Sequence, residues 1–212
     1  MVVALLKGLV LGAGMIIPIG AQNSFLLSQG IKRNHHVIAA SICIICDVLL
    51  INIGIFGGGA LIASNHLLMV LITMGGIAFL LTYAGISFRA AWRNCYQVVG
   101  ASQSLASRNK VIATTLAVTL LNPHVYLDTV IVLGSVGGTF DGNDRVAFAG
   151  GTVLASILWF YALVLAASRL APWLSRAHIQ RNIDIVVGII MAAVAYSLFT
   201  TLLDILKTPI AN

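Results

Sequence analysis

Glutamate is absent from the chain, and its six acidic residues are all aspartates. Only 8% of the 212 residues are charged, against roughly 25% in a soluble globular domain. So few charges cannot cover a water-facing surface, which excludes a soluble domain. Disorder is excluded too, because it needs a polar and highly charged chain. Cysteine is sparse. Cys43 and Cys46 form a C-x-x-C, but inside an apolar helical run without a βαβ setting, so small buried hydrophobes are a better reading than a redox motif. Cys95 stands alone in a loop. No H-E-x-x-H occurs, which argues against an intramembrane metalloenzyme. The twelve Lys and Arg give a net charge of +6, yet they fall in short gaps between apolar runs rather than on one polar face. That pattern is juxtamembrane and does not describe a nucleic-acid binder.

What the chain has in abundance is apolar sequence, 59% of all residues. A helix needs roughly 20 apolar residues to cross a bilayer. Six runs qualify, at about 3–28, 37–62, 66–90, 111–136, 146–170 and 183–206. The expected fold is therefore all-α, a polytopic membrane protein of six transmembrane helices in one membrane domain over residues 1–212. Lys7 before an apolar stretch has the look of a secretion signal. The polar pair Gln22–Asn23 leads into more apolar sequence, however, so the segment is expected to stay as the first helix. Nine of the twelve basic residues lie in the loops after spans 1, 3 and 5, and three (Lys7, Arg145, Lys207) lie on the other side. Cytoplasmic loops hold the excess of positive charge, so this bias puts both termini outside.

The chain also divides into two similar halves, 1–93 and 110–207. Each opens with a long helix carrying a proline beside an amide, Pro18 with Gln22–Asn23 and Pro123 with Asn122. Each closes with a glycine and a tyrosine eight residues apart, Gly75 to Tyr83 and Gly188 to Tyr196. Three spans per half make the halves inverted with respect to one another, an architecture of secondary transporters.

The informative residues are those that an apolar span has no structural reason to hold. A carboxylate near the bilayer centre costs about 2.5–3.5 kcal/mol on insertion scales. Asp47 lies close to the middle of span 2 and Asp128 past the middle of span 4, and no Lys or Arg lies deep in any span to neutralise them. The other four aspartates fall in loops or at helix ends. Pro18 and Pro123 cannot donate to the carbonyls four residues back, and each break frees a mid-membrane carbonyl that protein, water or ligand must satisfy. Gly20 beside the first break, together with Gln22, Asn23, Asn122 and His124, adds further polar or permissive positions. His124 and Asp128, four apart, share a helix face and suit a proton relay. A metal would want more ligands than this pair, and the remaining histidines lie in or beside loops, so no metal site is expected. Gly8/Gly12 and Gly54/Gly58 are spaced for close helix packing. Trp92, Trp159 and Trp173 read as interface anchors or packing residues. Two acids, several carbonyls and no buried base describe a cavity for a small cation or zwitterion.

Several stretches resemble the LysE-type amino-acid exporters. They are Pro18-Ile-Gly-Ala-Gln-Asn23, Asp47, and the run Gly75-Gly-Ile-Ala-Phe-Leu-Leu. Asn122-Pro-His-Val-Tyr-Leu-Asp128-Thr with Val132-Leu-Gly-Ser-Val-Gly-Gly138 is similar to the arginine-exporting branch of that family. The likeness covers nearly the whole chain. One departure is Ala21, where the family usually has a second proline in a P-x-G-P-Q-N pattern. The resemblance implies an inner-membrane secondary transporter that exports L-arginine and its analogue canavanine by alternating access, with no cofactor. Its partners would be the small-molecule substrate and the lipid bilayer, self-association being left open. The alternatives are a lysine or broader amino-acid exporter and, from another class, a cation channel or a scaffold subunit. A scaffold gives two intramembrane carboxylates no purpose, and paired helix breaks fit alternating access better than a channel.

Overall fold

A computed structural model describes residues 1–18, 20–57, 66–93, 106–174 and 176–207. Among the described residues all regular structure is helical. The first two helices are α1 (Val2–Ile16) and α2 (Ala21–Lys32), followed by α3 (His36–Ile55) and α4 (His66–Arg93). The second half begins with α5 (Arg108–Leu120) and the single turn α6 (Pro123–Tyr126). A wide, π-type turn over Leu127–Val132 leads into α7 (Leu133–Gly138). Two long helices close the chain, α8 (Gly142–Leu174) and α9 (Ala177–Lys207).

Four segments among the described residues are long and apolar enough to cross a membrane as single helices. They are His36–Ile55, Thr73–Trp92, Gly142–Leu174 and His178–Thr200, with mean hydropathies of 2.4, 1.3, 1.9 and 2.1. The pair α1 and α2 passes the same test only when taken together, and it bends by 80°. The expected first span, 3–28, is thus two helices, with Pro18 in the gap between them. The expected fourth span, 111–136, is likewise divided, first after Leu120 and then by the wide turn.

Other boundaries differ from the sequence expectation for local reasons. The helix of span 2 stops at Ile55 rather than running to 62. Gly57 takes φ +98°, a conformation that glycine adopts without strain, and its N–H turns back to the Gly54 carbonyl. Residues 58–65, with Gly58 and the first expected loop residues, lie outside the described residues, as does Cys95. Helices α8 and α9 run past their apolar cores at both ends, so the gap expected from Ala171 to Asn182 is largely helical. Hydropathy marks where the apolar run ends, whereas the backbone keeps its hydrogen bonds beyond that point. At the start of α5 the Ser107 hydroxyl accepts from the Lys110 N–H at 3.4 Å, which caps the helix ahead of the expected position.

Glycine lets the first broken helix lie directly on α8. A methyl group on Gly8 would overlap the Phe148 carbonyl, and one on Gly12 would lie 2.9 Å from Thr152 Cγ2. Farther along, Asn23 meets Trp159, Gly30 faces Val164 and Ala167, and Arg33 Nε donates to the Ser168 carbonyl at 2.9 Å. The contacts of α1 and α2 therefore advance in one direction from Phe148 to Ser168. At ~1.5 Å per residue that is about 30 Å, the thickness of a bilayer's hydrocarbon core. The second broken helix advances along α3 in the same manner. Asn34 donates to the Ala106 carbonyl, Cys43 meets Thr119, and Gly134 and Gly137 face Gly54 and Ile55.

These contacts also sort the ends of the molecule. Arg33, Asn34, Ala106 and Ser168 gather at one end. The amino terminus pairs with Asp144 at the other, where Lys7 sits over the Phe140 ring and Arg145 donates to the carbonyls of Phe140 and Gly138. The buried core between them is built from Phe25, Leu26, Leu80, Phe160, Met191 and Leu198. Trp92 and Trp173 are largely exposed, in keeping with interfacial anchors, and the Arg176 guanidinium lies over Trp173.

Candidate functional site

The two helix breaks meet. Between them lies a cavity of about 280 Å³, bordered by Pro18, Gly20, Gln22 and Asn23 from the first break and by Asn122 and Asp128 from the second. Asp47 enters from α3, while Ile51, Leu133, Phe160 and Val194 supply apolar wall. The cavity thus brings together seven of the nine residues that the sequence singles out. For Pro123 and His124 the backbone of α6 is described, but the side chains lie outside the described residues, as does the expected His124–Asp128 pairing.

Asp47 is buried, at 4% exposure, and its Oδ2 accepts a hydrogen bond from Ser156 Oγ at 2.7 Å across the α3–α8 contact. Asp128 lies in the wide turn, half-buried. Such turns widen the helix locally and recur at functional sites. Here the turn carries Asp128 and Thr129 to the cavity wall.

The first break is held together by Asn23. Its Nδ2 donates to the carbonyls of Ile16 and Pro18, each at 2.8 Å, and approaches that of Ile17 at 3.4 Å. Its Oδ1 accepts from Trp159 Nε1 at 3.1 Å. The amide therefore satisfies carbonyls that the proline break frees, and α8 fixes the amide. At the second break the Tyr126 hydroxyl performs a similar task, donating to the Leu120 carbonyl at 2.9 Å. Gln22 differs from Asn23: its Nε2 is buried beside the Cys43 thiol and, among the described residues, bridges no carbonyl of the break.

The roles of Ser156, Trp159 and Tyr126 at the site are not visible in the sequence, which marks Trp159 only as an anchor or packing residue. Serine, tryptophan and tyrosine are ordinary in membrane helices, and no spacing rule joins α8 to residues more than a hundred positions earlier. Trp159 in particular anchors the break as well as packing.

Chemically, the site offers carboxylates and carbonyl oxygens to a cation, an apolar wall to an aliphatic stem, and the start of α2 to a negative group. The N–H groups of Ala21, Gln22 and Asn23 precede the first bond of that helix, from Ser24 N–H to the Gly20 carbonyl.

Comparison with known proteins gives concordant matches. The family model described as LysE type translocator matches residues 13–202. A protein of Aeromonas salmonicida named putative amino-acid transporter YggA is 50% identical over 193 residues, 91% of this chain and 94% of its own length. The arginine exporter protein ArgO of Yersinia enterocolitica is 48% identical over 198 residues, 93% of this chain and 97% of its own. The protein of the same name from an Enterobacter species is 50% identical over 192 residues, 91% of each. No solved structure matches the chain.

Proposed function

Because the chain belongs to the LysE-type translocator family, we propose that it exports L-arginine, and the analogue canavanine, across the inner membrane of a bacterium. The observation that carries this reading is the single cavity where two helix breaks, Asp47 and Asp128 converge. Relatives named arginine exporters align over nine-tenths of the chain and support the choice of substrate.

The cavity suits one amino acid. Its volume is close to the lower end of small-molecule sites, roughly 300–1,000 Å³. The guanidinium is held by Asp47 and Asp128, since a planar fork of donors matches carboxylates. The aliphatic stem lies along Ile51, Leu133 and Phe160. The α-carboxylate faces the start of α2 and Gln22 Nε2, with Asn122 completing the polar wall, and His124 is assigned to the same site from its place in the sequence, four residues before Asp128. Pro18, Gly20 and Pro123 form the breaks that make the chamber, and Asn23 keeps the first one open.

Both broken helices are read as crossings, which gives six spans in two inverted halves, 1–93 and 110–207. Packing supports the symmetry. Each half's broken helix lies on the other half's second helix, α1 and α2 on α8 and the α5–α7 segment on α3. The second helices, α3 and α8, pack together, and so do the third, α4 and α9. The basic ends then face the cytoplasm and both termini face outward. Exporting one positive charge against an inside-negative potential costs about 2.3 kcal/mol per 100 mV. Exchange for one inward proton cancels that charge, with an aspartate holding the cation and the proton in turn as the protein alternates its access.

A lysine-inclusive or broader substrate range is the second reading, favoured by the relative whose name specifies only an amino-acid transporter. Efflux from proteoliposomes preloaded with arginine, lysine, homoserine or a divalent cation decides between them. Rapid arginine efflux with slow efflux of the others supports the first reading, equal lysine efflux supports the second, and efflux of the metal alone overturns both.

A further inference from the structure

Hydroxyl groups inside these helices mostly return their proton to their own backbone. Thr115 donates to the Val111 carbonyl, Thr129 to Val125 and Thr152 to Phe148, each four residues back. Ser156, on the same helix as Thr152, does otherwise. It is fully buried, and its Oγ–H crosses to a carboxylate on another helix, Asp47 Oδ2, at 2.7 Å. Three residues on, Trp159 donates to Asn23, the residue that spans the first break. One face of α8 therefore fixes both the buried acid and the break beside the cavity.

We propose that Ser156 is a positioning residue that tunes the site toward a guanidinium. A carboxylate free to rotate serves a compact ammonium from any direction. A planar guanidinium needs the carboxylate plane held in one orientation to receive two parallel hydrogen bonds. With Oδ2 tied to Ser156, Asp47 presents a fixed edge to the cavity it lines. Ser156 does not touch the substrate and acts through Asp47 alone. The inference rests on the reading that Asp47 receives the substrate cation.

The test is efflux of arginine and of lysine from proteoliposomes carrying S156A, S156T or D47N at equal protein content. Ser156→Ala removes the donor with almost no change of volume. It should raise KM for arginine about tenfold, the factor carried by losing one of the two guanidinium–carboxylate hydrogen bonds once Asp47 is free to turn. The maximal rate should hold, and the thermal midpoint should stay close to the parent's because water from the cavity that Asp47 lines can replace the lost donor; KM for lysine should change far less, so the preference for arginine falls. Ser156→Thr keeps the donor and should stay close to the parent. If S156A leaves both KM values unchanged, the inference is overturned. It is also overturned if S156A and S156T lose both substrates and thermal stability together, since Ser156 would then be a packing residue. D47N separates the two claims. Intact arginine efflux in D47N removes the cation-site reading itself, whereas abolished efflux in D47N beside an unaltered S156A removes only the role of Ser156.

Discussion

Replacing Asn23 tells a hinge pin from a cation ligand. Its amide donates to two carbonyls at 2.8 Å and accepts from the Trp159 indole at 3.1 Å. Asn23→Ala orphans all three groups. An unsatisfied buried polar group costs about 1–3 kcal/mol. Ile16 and Pro18 border the cavity, however, so water can restore part of the loss at their carbonyls. A net destabilisation of ~2–4 kcal/mol remains, which in a chain of this size lowers the thermal midpoint by roughly 5–15 °C. Asn23→Asp is more telling. It matches the shape but replaces the donor with a second acceptor, aimed at carbonyl oxygens. A pin should fail at least as badly with aspartate as with alanine, and efflux should fall with it. A group that only contacts the substrate cation would gain from the added charge. Thermal unfolding in detergent, beside arginine efflux, measures both. An N23D protein as stable as the parent and faster in transport would refute the reasoning.

Three further outcomes follow from the packing and the topology. Gly8→Ala forces a methyl into the Phe148 carbonyl and should cost ~1–3 kcal/mol by overpacking, whereas Gly14→Ala, with nothing within 4 Å, should be tolerated. Equal thermal midpoints for the two variants would contradict the close approach of α1 to α8. Pro123→Ala restores a backbone donor near the second break and should cut efflux while leaving folded protein at parental levels; unchanged transport would reduce the proline to a packing kink. A cysteine placed at Ser104 should resist an impermeant thiol reagent applied to intact cells, and ready labelling there would reverse the assignment of the basic end.

Much of the site is legible in the sequence because its chemistry is rare in its setting. An aspartate in an apolar run and a proline in the middle of a span each carry an insertion or hydrogen-bonding cost, so Asp47, Asp128, Pro18 and Pro123 stand out without any coordinates. The residues that support them do not. Ser156 and Trp159 cost little in a membrane helix, and their importance comes from a long-range contact that only folding creates. Helix ends are also obscured. The stop of α3 depends on one glycine at positive φ, and α8 continues through polar interfacial sequence where hydropathy falls but backbone hydrogen bonding does not. The wide turn at Leu127–Val132 has no composition that would mark it.

The central claim is that Asp47 and Asp128 hold the substrate cation. Arginine efflux by Asp47→Asn and Asp128→Asn variants, measured at equal protein level, tests it most directly. Asparagine keeps the shape and removes the charge, which eases membrane insertion by up to about 3 kcal/mol per site. Protein level should therefore hold or rise while efflux collapses, and the exposed-loop control Asp141→Asn should match the parent. Cells carrying both asparagine variants that export arginine and resist canavanine as well as the parent does would contradict the account.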